Sequence, residues 1–370
     1  MKSLAIFGST GSIGESSLKV FNKNKNKLNL LYLSAHTNYK KLYKQYKLFK
    51  PKKIILTNEQ AYNRYKNNKI YNTEIFFKNK RKKIDYIISG ITGFEALRIN
   101  LKLLKICKNL LIANKETIIC GGEIFLKIAK KYNCNIIPID SEHYSIYYFL
   151  KSFDFRKNLI DKIYLPASGG PFLYKKVKYN EKIKNVLKHP VWKMGKKISV
   201  DSSNFANKVL ELFEAKVLFK FNPSLIKIIV EEKSNIHSII KLKNNFYFPI
   251  LHKPSMEIAI SNSLNLKNNF NLNLCNLKIH LKEPNVVKFP LIKLGYKILN
   301  QQSHFSTIIF TVLNERLVEL YLKNKILYGD ISNNLVKVFN KHKFFNNRKY
   351  RIKDISSVLK TIEYAKKIKI

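Results

Sequence analysis

Apolar residues recur along this chain in two rhythms. Up to about residue 140, short apolar runs at 4–7, 28–33, 54–56, 86–89, 110–113 and 135–139 alternate with amphipathic helical stretches. Strand and helix alternating in this way predict an α/β fold whose N-terminal part is a doubly wound, Rossmann-like parallel sheet. Residues 141–265 mix strands, such as 162–165 and 238–241, with helices, of which one spans about 204–218. The stretch 264–290 is rich in Asn, carries Pro284 and Pro290, and suits a connecting arm. Beyond it, 291–300, 306–323 and 330–340 have helical periodicity. The expected domains are therefore 1–140, a central α/β domain over 141–265, an arm over 266–290 and a small helical domain over 291–370. No internal repeat is seen.

Composition changes the picture in one respect. Of 370 residues, 69 are Lys or Arg and 24 are Asp or Glu, a formal net charge of +45. Such an excess raises a nucleic-acid role, because basic side chains supply phosphate contacts. Only seven of the 69 are arginine, the residue suited to bidentate phosphate and guanine contacts, and the lysines are scattered among asparagines rather than gathered in a stripe. Charge spread in this way matches the codon bias of an AT-rich, endosymbiont-type genome, and no specific nucleic-acid partner is expected. Cys107, Cys120, Cys134 and Cys275 match no zinc or redox spacing, and reduced cysteines in a cytoplasmic protein are expected. The first apolar run is too short for a signal peptide, and no stretch reaches the length of a membrane span.

Against this background the glycines stand out. Ten of twelve precede residue 200, in five clusters: Gly8, Gly11 and Gly14; Gly90 and Gly93; Gly121 and Gly122; Gly169 and Gly170; and Gly195. The first cluster lies between the first strand and a helix beginning near Glu15. Glycines there let backbone approach a pyrophosphate, and a helix N-terminus offers it free N–H groups. The spacing is GxxGxxG rather than GxGxxG, and a plain tight turn is the competing reading. No Asp or Glu stands between Glu15 and Glu59 to meet a ribose 2′-hydroxyl, and the loop from Ala35 through Asn38 to Lys40 and Lys41 is neutral to basic. NADP rather than NAD follows.

Two further groups carry chemistry. Asp140, Ser141, Glu142 and His143 follow a strand, where an extended backbone would point Asp140 and Glu142 the same way. Lys208, Glu211 and Glu214 share a face of the expected helix over 204–218. Oxygen ligands without cysteine suit Mg²⁺ or Mn²⁺, although ion pairs with the many lysines would account equally for these acids. The loops Ser168-Gly169-Gly170-Pro171-Phe172 and His189-Pro190-Val191-Trp192-Lys193-Met194-Gly195 use residues the chain otherwise avoids. Ser168, with Ser202, Asn207 and Lys208, offers donors that suit a phosphorylated sugar. A tight turn and a buried tryptophan are the plainer alternatives.

In order, the motifs GSTGSIG, ANKE, DSEH, SGGPF, HPVWKMG, KISVDSSNFANK and LE followed by EA resemble the 1-deoxy-D-xylulose 5-phosphate reductoisomerase family. The likeness is specific from residue 4 to about 218 and weaker to the C-terminus. It implies a cytoplasmic homodimer that uses NADPH and Mn²⁺ or Mg²⁺, with Co²⁺ a further option, to rearrange and reduce a phosphorylated sugar. It assigns Asp140, Glu142 and Glu211 to the metal. Thr10, Gly11, Ser12, Ile13, Asn38, Asn114, Lys115, Glu116, Gly195 and Met256 fall to NADPH. Lys115, Ser141, Glu142, Ser168, His189, Trp192, Ser202, Asn207, Lys208 and Glu211 fall to the substrate, with Lys208, Glu142 and His189 catalytic. The loop from His189 to Gly195, which includes Met194, is implied to be a lid.

Departures from the family pattern stand at Tyr144, at Glu231-Glu232-Lys233 and at Glu257, and suit drift. A different NADP-dependent dehydrogenase of a small phosphorylated or aldehyde substrate would explain the glycine turn but not the clustered carboxylates. A nucleic-acid or interaction protein would explain neither.

Overall fold

In the computed structural model, which describes residues 1–79, 82–153, 157–192, 194–342, 344 and 351–370, all six N-terminal apolar runs fall on strands. They are β1 (Lys2–Phe7), β2 (Leu28–Ala35), β3 (Lys53–Leu56), β5 (Ile84–Ser89), β6 (Cys107–Ile112) and β7 (Asn135–Pro138). One more, β4 (Ile70–Tyr71), is only two residues long, too short to leave a pattern. All pairings are parallel, in the order β4-β3-β2-β1-β5-β6-β7. Leu4, Ala5, Ile6, Leu33, Ile87 and Leu110 are wholly buried, as central strands covered on both faces require. Strand order reverses between β1 and β5, and their C-terminal ends open a crevice of the kind that binds ligands in such sheets.

This sheet belongs to the first of two compact units, made of Met1–Asn114, Phe125–Tyr144 and Ser255–Asn269. The helix Met256–Ser263 packs on the helix Ser12–Lys23 in this unit. Glu257 there sits 3.2 Å from Lys23 and 4.0 Å from Lys19, so a departure expected as drift has local partners.

The second unit comprises Lys115–Ile124, Ser145–Pro254 and Phe270–Ile370. Its sheet holds β8 (Ile160–Ala167), β9 (Ile226–Val230), β10 (Ile236–Leu242) and β11 (Tyr247–Leu251), ordered β11-β10-β8-β9, with only the β8–β9 pair parallel. The expected helix over 204–218 is Ala206–Phe219, preceded by Lys196–Ser203. The three expected C-terminal helices are Pro290–Asn300, His304–Leu322 and Tyr328–His342; a fourth, Ile355–Lys367, was not expected and is started by an Asp354–Ser357 capping box. Two of them pack onto Ala206–Phe219, His304–Leu322 through Phe310, whose ring is 5.5 Å from that of Phe213, and Pro290–Asn300 through Gly295, where a Cβ would lie 2.6 Å from Val209. The arm is irregular apart from the single turn Leu274–Asn276 and a bridge between Val230 and Lys282.

The helix Lys115–Lys131 breaks at Gly122, whose φ of 54° and ψ of −150° are not helical. The carbonyls of Ile119 and Cys120, left open by the break, are met by His304 Nε2 at 3.1 and 3.0 Å. A Cβ on Gly122 would strike that ring at 2.5 Å. Among the described residues no helix is long and apolar enough to cross a membrane.

Candidate functional site

In the first unit the chain leaves β1 through Gly8, at a φ of 77°, where a Cβ would lie 2.7 Å from the Gly90 carbonyl. Glycine is needed here because two strand ends meet at the switch in strand order. Gly14 is as tight, with a Cβ 2.3 Å from Ser9. Ser9 is held by Gln45, which accepts from its hydroxyl at 2.7 Å and donates to its carbonyl at 2.9 Å. The helix Ser12–Lys23 begins at Gly11 with no side-chain cap, so no capping side chain takes up its first N–H groups, and Thr10, Gly11, Ser12 and Ile13 stand at that end of the helix. Asn38 caps the helix Tyr39–Phe49, and Lys41 from that helix donates to the Thr10 carbonyl at 2.9 Å while pairing with Glu15. The basic loop thus reaches the glycine turn, with half of its expected lysine pair already sharing its charge. Asn114, at the end of β6, donates to the Gly93 carbonyl at 3.1 Å and joins the second glycine cluster to this edge. Met256 is half-buried on its helix.

Asp140 and Glu142 are not on an extended segment. β7 ends at Pro138, and Ser141 opens the helix Ser141–Ser152, which places Glu142 in its first turn. Acidic side chains are favoured at that positive end of the helix. The pair still converges: carboxylate oxygens of Asp140 and Glu142 lie within 4.8 Å of each other, and the Ser141 hydroxyl donates to Glu142 at 2.5 Å.

In the second unit, a buried cluster forms around Glu211. Lys115 Nζ is 3.0 Å from Glu211 Oε1 and 2.8 Å from Asn207 Oδ1. Asn207 donates to the same carboxylate at 2.5 Å, and Lys208 pairs with its other oxygen. Lys115, Lys208 and Glu211 are 6%, 4% and 1% exposed, so two ammonium groups and one carboxylate face each other away from bulk water. Between Ser202 and Asn207 the chain turns through Phe205 at a φ of 66°, unusual for a bulky residue, with its ring 4.5 Å from Phe289. The loop after β8 closes on the same turn: a Cβ on Gly170 would meet the Ser202 carbonyl at 2.8 Å.

His189 joins that loop, its Nε2 lying 2.9 Å from Ser168 Oγ. Its Nδ1 accepts from the backbone N–H groups of Trp192 at 2.9 Å and Val191 at 3.2 Å, so the ring proton sits on Nε2 and points at Ser168. Burial pushes the His189 pKa down to about 4, and the imidazole is neutral near pH 7. A cavity of about 680 Å³ opens beside Ser168, Phe172, Lys188 and Pro190. Trp192 is half-buried with its ring edge-on to His237 at 6.3 Å, and His237 in turn stacks on His252 at 3.5 Å. Met194 is half-buried and Lys193 lies outside the described residues. Gly195 caps Lys196–Ser203 from an extended conformation with open space around it, so no steric need for glycine exists there.

Several residues that hold the site were not singled out in the sequence. Lys197 pairs with Glu116, and with Asp201 at 2.9 Å; Asn314 donates to Asp201 at 2.8 Å. Burial opposes the Lys197 charge, but Asp201, Glu116 and Glu315 outweigh it and raise its pKa above the usual lysine range. Burial likewise opposes the Glu116 carboxylate, and Lys197 outweighs it to lower its pKa. Glu116 therefore enters an ion network in the second unit, next in sequence to Lys115. The i,i+4 spacing of Lys197 and Asp201 was a usable signal; nothing in the sequence pointed to Asn314. Glu231, another expected departure, is 2% exposed and accepts from the N–H groups of Asn235 at 2.8 Å and Lys233 at 3.2 Å, shaping the turn before β10.

Comparison with known proteins bears on what this arrangement serves. A family model described as 1-deoxy-D-xylulose 5-phosphate reductoisomerase matches residues 4–122, one for the C-terminal domain of that enzyme matches 136–219, and a DXP reductoisomerase C-terminal domain matches 251–368. The chain is 38% identical to the 1-deoxy-D-xylulose 5-phosphate reductoisomerase of Pelagibacter ubique, over 98% of this chain and 97% of that protein. It is 33% identical to that of Clostridium kluyveri, over 99% of both. A crystal structure of DOX-P reductoisomerase with NADPH, fosmidomycin and magnesium superposes with a TM-score of 0.88 at 27% identity, over 99% of this chain and 97% of that one. The Zymomonas mobilis enzyme with NADPH shares the fold, with a TM-score of 0.82 at 22% identity over 98% and 97% of the two chains.

Proposed function

Because this chain belongs to the 1-deoxy-D-xylulose 5-phosphate reductoisomerase family, we propose that its glycine-turn unit takes NADPH and its Glu211 unit the phosphorylated sugar. The chain is an NADPH- and divalent-metal-dependent oxidoreductase and isomerase. It converts 1-deoxy-D-xylulose 5-phosphate to 2-C-methyl-D-erythritol 4-phosphate in the methylerythritol phosphate pathway.

Asp140, Glu142 and Glu211 are the proposed metal ligands, and the converging oxygens of Asp140 and Glu142 suit Mg²⁺ or Mn²⁺. When bound, the ion supplies Lewis-acid polarisation of the substrate oxygens. The Lys115 and Lys208 ammonium groups, held on Glu211, are donors of the kind that favour an anionic substrate and the negative charge that develops on its oxygens. Ser168, Ser202, Asn207 and Lys208 are the proposed phosphate donors. His189, neutral and donating from Nε2 to Ser168 Oγ, leaves the serine hydroxyl proton free to turn toward the substrate. Thr10 to Ile13, Asn38, Asn114 and Met256 are proposed to hold NADPH, with Gly8 giving the backbone approach a pyrophosphate needs. The loop from His189 to Gly195 is proposed as a lid with Trp192 as its plate, excluding water from the reacting carbons. A homodimer in the cytoplasm, with no specific nucleic-acid partner, completes the proposal; the exposed Phe246 and Tyr247 beside the edge strand β11 offer apolar surface for a second copy.

The observation that carries this reading is the buried convergence of Lys115, Asn207 and Lys208 on Glu211. Purified protein should consume NADPH, followed by absorbance, only when 1-deoxy-D-xylulose 5-phosphate and Mn²⁺ or Mg²⁺ are both present. NADPH consumption independent of either, or equal efficiency with NADH, overturns the assignment. Light scattering at twice the chain mass is the expected result for the dimer.

A further inference from the structure

Two of the four cysteines meet where the sequence shows no motif. Cys107 opens β6 and Cys134 immediately precedes β7, its neighbour in the parallel sheet, and their sulfurs are 3.3 Å apart. They are 0% and 5% exposed. A disulfide needs about 2.0 Å between sulfurs, so closure asks for about 1.3 Å of approach. The two thiols are not equivalent. The sulfurs share one S–H···S contact in which either can donate, and that contact together with burial raises the Cys107 pKa. The same contact, against burial and with help from the Lys83 ammonium, lowers that of Cys134. Lys83 is fixed in place by donating to the Tyr132 carbonyl. One sulfur is thus disposed to attack and the other to follow, the arrangement that lets an oxidised cysteine resolve to a disulfide rather than over-oxidise.

We infer that Cys107 and Cys134 form a reversible oxidation site, a dithiol that closes to a disulfide when hydrogen peroxide reaches it. The Cys134 thiolate attacks the peroxide oxygen, the O–O bond breaks, and the departing oxygen leaves as water after taking a proton, giving a sulfenic acid. Cys107 then attacks the Cys134 sulfur, its proton leaving with the displaced hydroxide as a second water. Two thiols are oxidised by two electrons and one peroxide is reduced. Both sulfurs lie at the N-terminal ends of their strands, the edge opposite the crevice of the sheet, so the crosslink clamps β6 to β7 without entering the glycine turn. The inference does not depend on the reaction proposed above.

The test uses full-length Cys275→Ser protein, which removes the one exposed thiol and leaves Cys107, Cys120 and Cys134. After hydrogen peroxide and a quench, thiol titration in denaturant should find one thiol instead of three. Peptide mapping should recover a Cys107–Cys134 crosslink lighter by two hydrogens. Dithiothreitol should restore all three thiols, and the oxidised form should melt several degrees higher. Cys134→Ser should abolish the crosslink and leave Cys107 as a thiol; Cys107→Ala should leave Cys134 to pass on to sulfinic acid, and circular dichroism checks that both variants fold. Three thiols surviving a peroxide dose that oxidises Cys275 in the unsubstituted protein would overturn the inference, as would over-oxidation of Cys134 without a crosslink. Because the readout is thiol chemistry, failure of the reductoisomerase reading would leave it unaffected.

Discussion

The glycine turn after β1 and the charged cluster around Glu211 are both proposed to grip phosphate-bearing molecules, and they are built by opposite means. The turn is made of backbone: Gly8 and Gly14 allow approaches that any Cβ would block, and the helix Ser12–Lys23 offers its uncapped N–H groups. The cluster is made of side chains from two helices, Lys115 on one and Asn207, Lys208 and Glu211 on another, held by ion pairs away from water. A backbone site tolerates drift in its surroundings and no change in its glycines. A side-chain site tolerates loop changes but not loss of one charge, because the partners left behind are buried and unbalanced.

The sharpest break is Glu211→Gln. Keeping shape while removing charge, it should lower kcat by about a thousandfold, while titration of NADPH by fluorescence stays near the unsubstituted value. Normal turnover at limiting Mn²⁺ would remove Glu211 from the ligand set. Gly8→Ala should do the reverse, weakening NADPH binding by roughly ten- to a hundredfold through strain at the turn, in protein that circular dichroism shows to be folded. Loss of metal dependence instead of cofactor affinity would mean that the two sites are not separable as argued.

A smaller effect is expected at Trp192→Ala, which should raise KM about tenfold and kcat less. As Trp192 is the only tryptophan, its emission should also shift in the unsubstituted protein when a phosphonate-hydroxamate substrate mimic binds with Mn²⁺. Unchanged emission at saturation would mark it as a packing residue on His237.

The smallest effect concerns stability away from both sites. Asp85 accepts from Lys108 at 2.8 Å, and from Ser3 N–H at 2.9 Å and its hydroxyl at 2.8 Å, and these outweigh burial to lower its pKa from 3.8 to about 2. A depressed folded-state pKa gives stability that is present above about pH 4 and is lost as pH falls toward about 2. Asp85→Asn should cost about 1–2 kcal/mol at pH 7 and flatten the acid limb of the melting profile. An unchanged limb would place the acid sensitivity elsewhere.

The two sites also differ in how far the sequence exposes them. Glycines leave a mark in a lysine- and asparagine-rich chain, and buried parallel strands leave continuous apolar runs, so the first sheet and its turn were legible apart from the two residues of β4. Lys115 and Glu211 are 96 positions apart, and no periodicity records that they touch; only the likeness of ordered motifs pointed there. Glu142 was misplaced on an extended segment although Asp-Ser-Glu ahead of an apolar stretch is a helix-start signal, because the preceding strand run was extended one residue too far. Glu231 and Glu257 passed for drift because their partners are backbone N–H groups and lysines on a distant helix.

The break at Gly122 has a consequence for how the chain is made. Its open carbonyls at Ile119 and Cys120 are closed by a histidine that lies 184 residues beyond Cys120. At about 5–20 residues per second, a ribosome needs roughly 10 to 40 s to deliver it. Throughout that interval the turn of helix that carries Lys115 and Glu116 lacks its final support, so the first part of the chain can be complete as a sheet while its contribution to the charged cluster still waits for the C-terminal helices to arrive.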